Sequence, residues 1–343
     1  EITKAPEKAK QYFSTILGLK AGTSLVTLLL VFLIFQATDL PETTLHLLWI
    51  LSISLIFNTV SQTLWHYGDC FKEFAYHSFL WAASNIIKSL TGIALVLLYG
   101  ELELLIIGIV FAEALALILS LYVIRRRFGP FAPKFQFSVW WDFLSRSAPI
   151  GLGVIFSVLY FRLDIVMLQL MTDDKVVGFY SAAYKLFEIV IVLPHSLMIV
   201  LFPSLVEVFH TDREKFKISF KKAFTVYFVV GSSIALVFFG FSNEIIGLIY
   251  GDNFLFSVKI LEILAIAIAL SFLIFLLSNI LIVSGWEMTN TWSLIGATIF
   301  NIALNLAWIP EHGAIGAAWA TVVCEITLIV ILGLQSRKAF KEP

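Results

Sequence analysis

The chain has 343 residues, of which 59% are hydrophobic and 14% are charged, and its formal net charge is −1. Soluble domains are about half apolar and a quarter charged, so a water-soluble fold could not bury this much apolar surface. The small net charge, without a basic stretch interleaved with aromatic residues, argues against nucleic-acid binding. The composition therefore predicts an all-α membrane protein.

Ten stretches are apolar over about the 20 residues that a helix needs to cross a bilayer. These predicted transmembrane segments are 14–36, 44–64, 77–98, 103–124, 147–170, 176–203, 223–241, 257–283, 290–309 and 314–334. The two largest connections, 125–146 and 204–222, are too short for a soluble domain. We therefore expect about ten transmembrane helices joined by short loops.

Basic residues are distributed unevenly among the connections. They cluster in 1–10, 125–134, 213–222 and 337–341, whereas the connections on the opposite side contain Lys175 as their basic residue. Because cytoplasmic loops are enriched in Lys and Arg, this asymmetry predicts the orientation. We predict a multi-pass protein of the plasma (inner) membrane with both termini in the cytoplasm.

The fourth and tenth segments share a layout that indicates an internal duplication. Glu113 precedes the basic pair that begins at Arg125, and Glu325 precedes the pair that begins at Arg337 at the same spacing. Internal repeats are common in secondary transporters, so each of these segments could end one half of a duplicated transporter.

The duplication predicts the domain organisation. We expect an N-terminal bundle of four helices at 1–127, a cytoplasmic linker at 128–142 and a C-terminal bundle of six helices at 143–343. Because the first half is two helices shorter than the second and the chain begins without methionine, we expect two helices of a longer parent to precede residue 1.

Charged residues inside the predicted segments are the candidate site, since burying each costs at least ~2.5 kcal/mol on insertion scales. Cations would suit an anionic head group such as a pyrophosphate, and carboxylates would suit coupling to protons or sodium ions. The cations are Lys88, Arg162, Lys185 and Arg146, and the carboxylates are Glu113, Asp164, Glu188 and Glu325.

Spacing within helices predicts which of these charges meet. Lys88 and Glu113 lie at equal depth on neighbouring segments, roughly 18 Å from the turn between them, so they could form a structural ion pair or place a cation in a cavity. Lys185 and Glu188 share a helix face. Arg162 and Asp164 do not, so one could face a cavity while the other meets a neighbouring helix.

Two of the charges have a second interpretation. Arg146 near a cytoplasmic helix end could bind lipid phosphates, which we favour, or capture a substrate phosphate. Glu325 has no cationic neighbour in sequence, so it could be a proton-coupling group or a neutral, hydrogen-bonded core residue.

Sequence motifs of enzymes are not found. The chain contains no Gly-x-Ser-x-Gly, His-Glu-x-x-His or Walker sequence, which would indicate a nucleophile, a zinc site or a phosphate-binding loop. Cys70 and Cys324 lie far apart and match no metal or disulfide pattern. We predict no enzymatic activity, no metal site and no cofactor.

Five stretches resemble one family of transporters. They are Ser147-Ala148-Pro149-Ile150-Gly151, the Arg162-Leu163-Asp164 motif, Ala182-Ala183-Tyr184-Lys185, Phe202-Pro203-Ser204-Leu205 and the small-residue run 313–321. They resemble the polysaccharide-export flippases, which move undecaprenyl-pyrophosphate-linked O-antigen and related units. Those flippases share a superfamily with the multidrug and toxin extrusion transporters and the lipid II flippase.

The resemblance implies two six-helix bundles around a central cavity, alternating access and a cationic lumen that receives the pyrophosphate. Asp164 matches the Asp of the family's Arg-x-Asp motif, and Lys185 matches the basic residue after its Ala-Tyr pair. The implied partners are an undecaprenyl-pyrophosphate-linked or similar polyprenyl-linked oligosaccharide and membrane lipids, with a polysaccharide polymerase as a further candidate. The sequence departs from the family in its missing first two helices and in the turn 285–290, which has no basic residue.

Two other functions compete with flipping of a lipid-linked oligosaccharide. A cation-coupled multidrug exporter of the same fold would use carboxylates and aromatic residues to bind cationic drugs, and the basic residues argue against it. A membrane glycosyltransferase or polymerase would need a sizeable external loop and an acidic metal site, and the sequence has neither.

Overall fold

The computed structural model of the protein describes residues 9–36, 41–69, 71 and 73–339, and these residues are helical apart from short turns. The predicted all-α fold class is confirmed. The helices are α1 (Ala9–Gln36), α2 (Glu42–Asp69), α3 (Phe74–Leu98), α4 (Leu102–Phe128), α5 (Phe137–Met171), α6 (Asp174–Thr211), α7 (Arg213–Gly240), α8 (Ser242–Tyr250), α9 (Phe256–Val283) and α10 (Glu287–Ala339), with a 3₁₀ turn at Asp252–Phe254.

Eight of the described helices are long and apolar enough to cross a membrane, namely α1 to α4, α6, α7, α9 and α10. Each of the ten predicted segments lies within a helix, apart from residue 241, which follows the end of α7. Several helices are longer than predicted, since α7 begins ten residues earlier, and α10 contains both 290–309 and 314–334. Large apolar side chains are exposed along these helices, including Leu97, Leu170 and Val200, each at least three-quarters exposed. Such a surface is suited to lipid contact rather than to water, so the chain is a multi-pass membrane protein.

The chain divides into two compact units, Glu1–Ala148 and Pro149–Pro343. The division lies within α5, shortly after the predicted linker 128–142. That linker is partly helical, since α5 begins at Phe137. The assignment of the units to halves of a longer parent stays a prediction.

In the first unit, the segment before α5 and the first turn of α5 both pack against the start of α1. The backbone N–H of Lys134 donates to the carbonyl of Ser14 at 2.8 Å, and the Trp140 indole donates to the carbonyl of Thr15 at 3.2 Å. Gly18 permits this contact, because a Cβ there would lie 2.2 Å from the Lys134 carbonyl oxygen. Elsewhere in the first unit, α2 and α3 each pack against α4.

In the second unit, α9 is the central helix. It is apolar on every face, which is the pattern of a helix enclosed by others, and it packs against α6, α7 and α10. Close approach of α7 depends on Gly231, where a Cβ would lie 2.8 Å from the Phe272 side chain. The short helix α8, which the sequence analysis did not predict, packs beside α9 through the buried Ile246.

The long helix α10 is two antiparallel helices joined at Gly313. Gly313 has φ 55° and ψ −133°, outside the helical region and in a range that favours glycine. The chain then folds back on itself, because Ser293 and Gln335 are hydrogen-bonded to each other and the Cys324 thiol contacts the Ala297 carbonyl at 3.1 Å. The turn therefore separates the two predicted segments 290–309 and 314–334.

Replacing Gly316 with Ala should destabilise this hairpin. An Ala Cβ would lie 2.4 Å from the backbone carbonyl oxygen of Trp308, and forcing an extra methyl group into a packed site costs about 1–3 kcal/mol. We expect a lower midpoint of thermal unfolding for the detergent-solubilised variant. Gly333→Ala is the matched control, because a Cβ at Gly333 meets open space. Equal midpoints for the two variants would contradict the tight turn.

Candidate functional site

A buried carboxylate in the first unit receives two polar partners. Lys88 on α3 donates to Glu113 Oε1 on α4 at 3.0 Å, and Asn58 on α2 donates to the same oxygen at 3.1 Å. Glu113 is buried, whereas the Lys88 side chain is about a quarter exposed. The ion pair that equal depth permits is therefore present, and with Asn58 it connects α2, α3 and α4.

A second group of charges lies between α5 and α6 in the second unit. The Arg162 guanidinium is 2.8 Å from Glu188 Oε1, and Lys185 Nζ is 3.1 Å from Glu188 Oε2. The basic side chains are 53% and 62% exposed, whereas that of Glu188 is 20% exposed. Two cations thus share one carboxylate on an accessible surface.

The same surface contains a pocket of about 380 Å³. Arg162 and Glu188 line it together with apolar residues of both helices. Arg162 lies nine residues before the end of α5 and Lys185 eleven residues after the start of α6, which is roughly 13–17 Å along a helix. The pocket therefore combines an apolar wall with charged groups.

Asp164, two residues after Arg162, points away from this pocket into the interior of the second unit. It is 2% exposed. It accepts hydrogen bonds from the Tyr180 hydroxyl at 2.9 Å, from Asn305 Nδ2 at 2.7 Å and from the Thr321 hydroxyl at 2.6 Å. The expected division between Arg162 and Asp164 is confirmed, and the carboxylate is held by neutral donors from three segments of the chain.

The surroundings of Asp164 are rich in oxygen atoms. Asn305 Nδ2 also donates to Asn301 Oδ1 at 2.9 Å, and Asn305 Oδ1 is buried without a hydrogen-bond partner among the described residues. Carboxylate, amide and hydroxyl oxygens are the ligands that hard cations take. A small cation could therefore bind to Asp164, Asn301 and Thr321 if the Asn305 amide turns its oxygen, rather than its nitrogen, toward Asp164.

Glu325 on the last part of α10 is also buried in the second unit. Its Oε1 accepts a 2.5 Å hydrogen bond from Ser271 on α9. Its Oε2 is buried without a partner among the described residues. Glu325 therefore has a neutral partner rather than a cation, which is compatible with either of its predicted roles.

The hydrogen bonds of Glu113 and Glu325 have nearly the same spacing along the chain, while the duplication itself stays a prediction. The separation in sequence between Asn58 and Glu113 is 55 residues, and that between Ser271 and Glu325 is 54. In each unit, therefore, a polar residue of one helix donates to a carboxylate at nearly the same distance along the chain. The units differ in one further partner, because Glu113 also pairs with Lys88, whereas Glu325 has no ion pair among the described residues.

The structure groups the sequence-predicted residues within each unit. Arg162, Lys185 and Glu188 meet in one place, and Lys88 meets Glu113. Arg146 is in α5, but its side chain lies outside the described part of the chain. The sequence analysis missed the neutral partners of the carboxylates; the Asn301–Asn305 spacing of four residues in an apolar helix was the available signal. These neutral partners are Asn58, Tyr180, Ser271, Asn301, Asn305 and Thr321.

Solved structures share this fold. The lipid II flippase MurJ in an inward closed conformation aligns with a TM-score of 0.79 and 19% identity, over 97% of this chain and 75% of that protein. An outward-facing multidrug resistance transporter of the MATE family aligns with a TM-score of 0.70 and 12% identity, over 98% and 79%. A MOP superfamily transporter from Pyrococcus furiosus with a binding pocket of reverse polarity aligns with a TM-score of 0.69 and 12% identity, over 98% of this chain and 79% of that protein.

At these identities the structural similarity shows the fold alone, which the chain shares with a lipid II flippase and a MATE family transporter. The sequence pattern of the family described as "Polysaccharide biosynthesis protein" matches residues 1–209. The chain belongs to this family. A comparison with curated proteins gives no match.

Proposed function

We propose that the chain flips a lipid-linked oligosaccharide across the plasma membrane by alternating access, for synthesis of a surface polysaccharide. The observation that carries the proposal is the exposed Arg162–Glu188–Lys185 group, in which two cations share one carboxylate. An excess of positive charge beside an apolar pocket suits a head group that is anionic and attached to a lipid. The family membership and the fold shared with a lipid II flippase support the same substrate class.

In this proposal the substrate is a polyprenyl pyrophosphate sugar, such as an undecaprenyl-pyrophosphate-linked oligosaccharide. The Arg162 guanidinium exchanges the Glu188 carboxylate for phosphate oxygens, because its planar array of donors matches both groups. Lys185 contributes a point charge to the same phosphates. When the substrate leaves, Glu188 again neutralises part of the charge and so lowers the cost of keeping two cations within the membrane.

Asp164 supplies the ion coupling in the same proposal. Its carboxylate takes up a cation or proton from the medium, with the Asn305 amide turning its oxygen inward when a cation binds. Arg162 lies two residues away on the same helix. Occupation of the Asp164 site can therefore influence the substrate pocket through α5. We also propose the sequence-derived orientation, with both termini in the cytoplasm.

A multidrug exporter remains the second candidate because MATE transporters share the fold. The buried carboxylates Asp164 and Glu325 are the observation that favours it. A cationic drug would, however, be repelled by Arg162 and Lys185, which are the exposed charges of the pocket region. A glycosyltransferase or polymerase is disfavoured, since the relatives with this fold are a flippase and transporters.

Replacing Arg162 or Lys185 with Ala should impair export without unfolding the protein. Each variant loses a charge-assisted hydrogen bond to the head group, worth ~1.5–3 kcal/mol, which corresponds to a loss of about tenfold or more in transport. The measurement is surface polysaccharide in a strain that lacks its own sugar-lipid flippase, complemented with the intact gene. Protein levels in the membrane are measured alongside.

Lys217→Ala is the matched control, because Lys217 also pairs with a carboxylate three residues away but lies near the start of α7. Full activity of the control with reduced activity of both site variants supports the flippase. Normal polymer with all three variants would show that the two cations are structural. Failure of the unaltered gene with several sugar repertoires, together with drug resistance, would favour the multidrug exporter.

A further inference from the structure

Two histidines and an aspartate meet where α2 ends and α3 begins, outside the site described above. Asp69 Oδ2 is 2.7 Å from His77 Nδ1 and 3.0 Å from His66 Nδ1. The imidazole rings lie edge to face, with centroids 4.9 Å apart. One carboxylate oxygen therefore connects two imidazoles from different helices.

The three side chains differ in their access to solvent. His66 is 66% exposed, whereas His77 and Asp69 are 28% and 24% exposed. Asp69 Oδ1 is buried without a hydrogen-bond partner among the described residues. The cluster is thus accessible on the His66 side. The second oxygen of Asp69, Oδ1, is an acceptor that the hydrogen bonds among the described residues do not use.

We propose that His66, Asp69 and His77 form a binding site for a divalent transition-metal ion of the zinc class, a role that is independent of the proposed flipping. One ligand atom from each residue lies within 4.8 Å of the other two. Imidazole nitrogen and carboxylate oxygen are ligands that zinc takes, with three protein ligands leaving a fourth position for water. The exposed His66 side provides the route for the ion and that water.

The site needs little rearrangement to accept the ion. Tetrahedral zinc at its usual bond lengths separates neighbouring ligand atoms by about 3.3 Å. The two contacts of Asp69 must therefore open slightly from 2.7 and 3.0 Å, and the two histidine nitrogens, which lie within 4.8 Å of each other, must reach the same separation. Rotation of the exposed His66 ring supplies part of this change. Calcium and magnesium are disfavoured, because they prefer oxygen ligands over imidazole.

Binding at this position would fasten the end of α2 to the start of α3. The segment between these helices is already attached to α4, because the Arg127 guanidinium donates two hydrogen bonds to Glu73, at 2.7 and 3.1 Å. These hydrogen bonds hold the pKa of the Glu73 carboxyl below its usual range. A bound metal ion would add a further connection between α2 and α3 at this end of the first unit. The ion would therefore stabilise or regulate the protein rather than be transported.

The test uses the full chain, purified in detergent through a tag without histidine and stripped with a chelator. Zinc uptake is measured by calorimetry and metal analysis, and cobalt serves as a spectroscopic probe of tetrahedral geometry. A Cys70→Ser background removes the thiol next in sequence to Asp69. We expect one ion per chain, a higher midpoint of thermal unfolding with zinc, and reversal by chelator.

His66→Ala, His77→Ala and Asp69→Asn should each weaken zinc binding at least about tenfold, the loss seen when a tightly held metal ligand or its support is removed. His46→Ala is the matched control, since His46 lies in the first turns of the same helix α2. His66 is the most exposed of the three ligands, so its replacement is expected to disturb the fold least. No zinc uptake by the background chain, or equal uptake by His66→Ala and His46→Ala, would overturn the proposal.

Discussion

Asp164→Asn is expected to abolish ion-coupled export while leaving the protein folded. The amide has the volume of the carboxylate but lacks its charge, so it cannot hold a cation or release a proton. Loss of a charged ligand worth ~3 kcal/mol corresponds to a decrease on the order of 100-fold. The expected phenotype is therefore surface polysaccharide near the level of an empty vector, with normal amounts of protein in the membrane.

The stability of the Asp164 variant should change less than its activity. Tyr180 and Thr321 donate through hydroxyl groups that can rotate and accept from an amide, so we expect a cost of about 1 kcal/mol. Asp164→Ala would instead leave buried donors unsatisfied, at ~1–3 kcal/mol for each. The midpoints of thermal unfolding should therefore follow the order unaltered chain, Asp164→Asn, Asp164→Ala.

The identity of the coupling ion can be read from the same purified proteins. A sodium or lithium ion bound by Asp164 should raise the unfolding midpoint of the unaltered chain relative to potassium, and Asp164→Asn should not respond. Asp174→Asn is the control, because Asp174 is an exposed aspartate that accepts from Gln169 at 2.8 Å. A dependence on pH without a difference between salts would identify the proton. Normal export by Asp164→Asn would make this carboxylate a structural group.

The second large effect is expected at Lys88 and Glu113. Removing one member of a buried ion pair leaves the other charge uncompensated, which costs ~3–5 kcal/mol. Because Lys88 is about a quarter exposed, Lys88→Met should lie near the lower end of this range. Glu113→Gln should destabilise less, since Asn58 can still donate to the remaining carbonyl oxygen.

The double variant Lys88→Met/Glu113→Gln separates the two interpretations of this pair. It contains no unpaired charge, so most of the stability should return, and the four unfolding midpoints form a double-mutant cycle. If the pair is structural, export returns with stability. If Lys88 contacts the substrate, stability returns and export does not. Additive losses in the double variant would show that the two residues are not coupled at all.

The sequence predicted the features that depend on helix periodicity and depth. The length of each apolar stretch defines the ten segments. The equal distance of Lys88 and Glu113 from the turn between their helices indicated that the two could meet. The two-residue spacing separated Arg162, which is exposed, from Asp164, which is buried. These relations depend only on one helix and the helix next to it in sequence, and both helices can be predicted from the sequence of a single chain.

The features that escaped prediction depend on contacts between distant segments. Asn305 and Thr321 bond Asp164 across 141 and 157 residues, and neutral side chains give little signal against an apolar background. His66 and His77 are separated by a helix end, so their spacing matches no metal motif. The start of α5 within the predicted linker is set by its packing on α1 rather than by local composition.

The long-range bonds of Asp164 have a consequence for biosynthesis. Of its three hydrogen-bond donors, Tyr180 follows within 16 residues, whereas Asn305 is made 141 residues later. At translation rates of ~5–20 residues per second, the interval is roughly 7–30 s. During that time the new helix α5 holds a carboxylate with one of its three final donors. The hydrogen-bond network of Asp164 in the second unit can therefore be completed only after Thr321 has been synthesised.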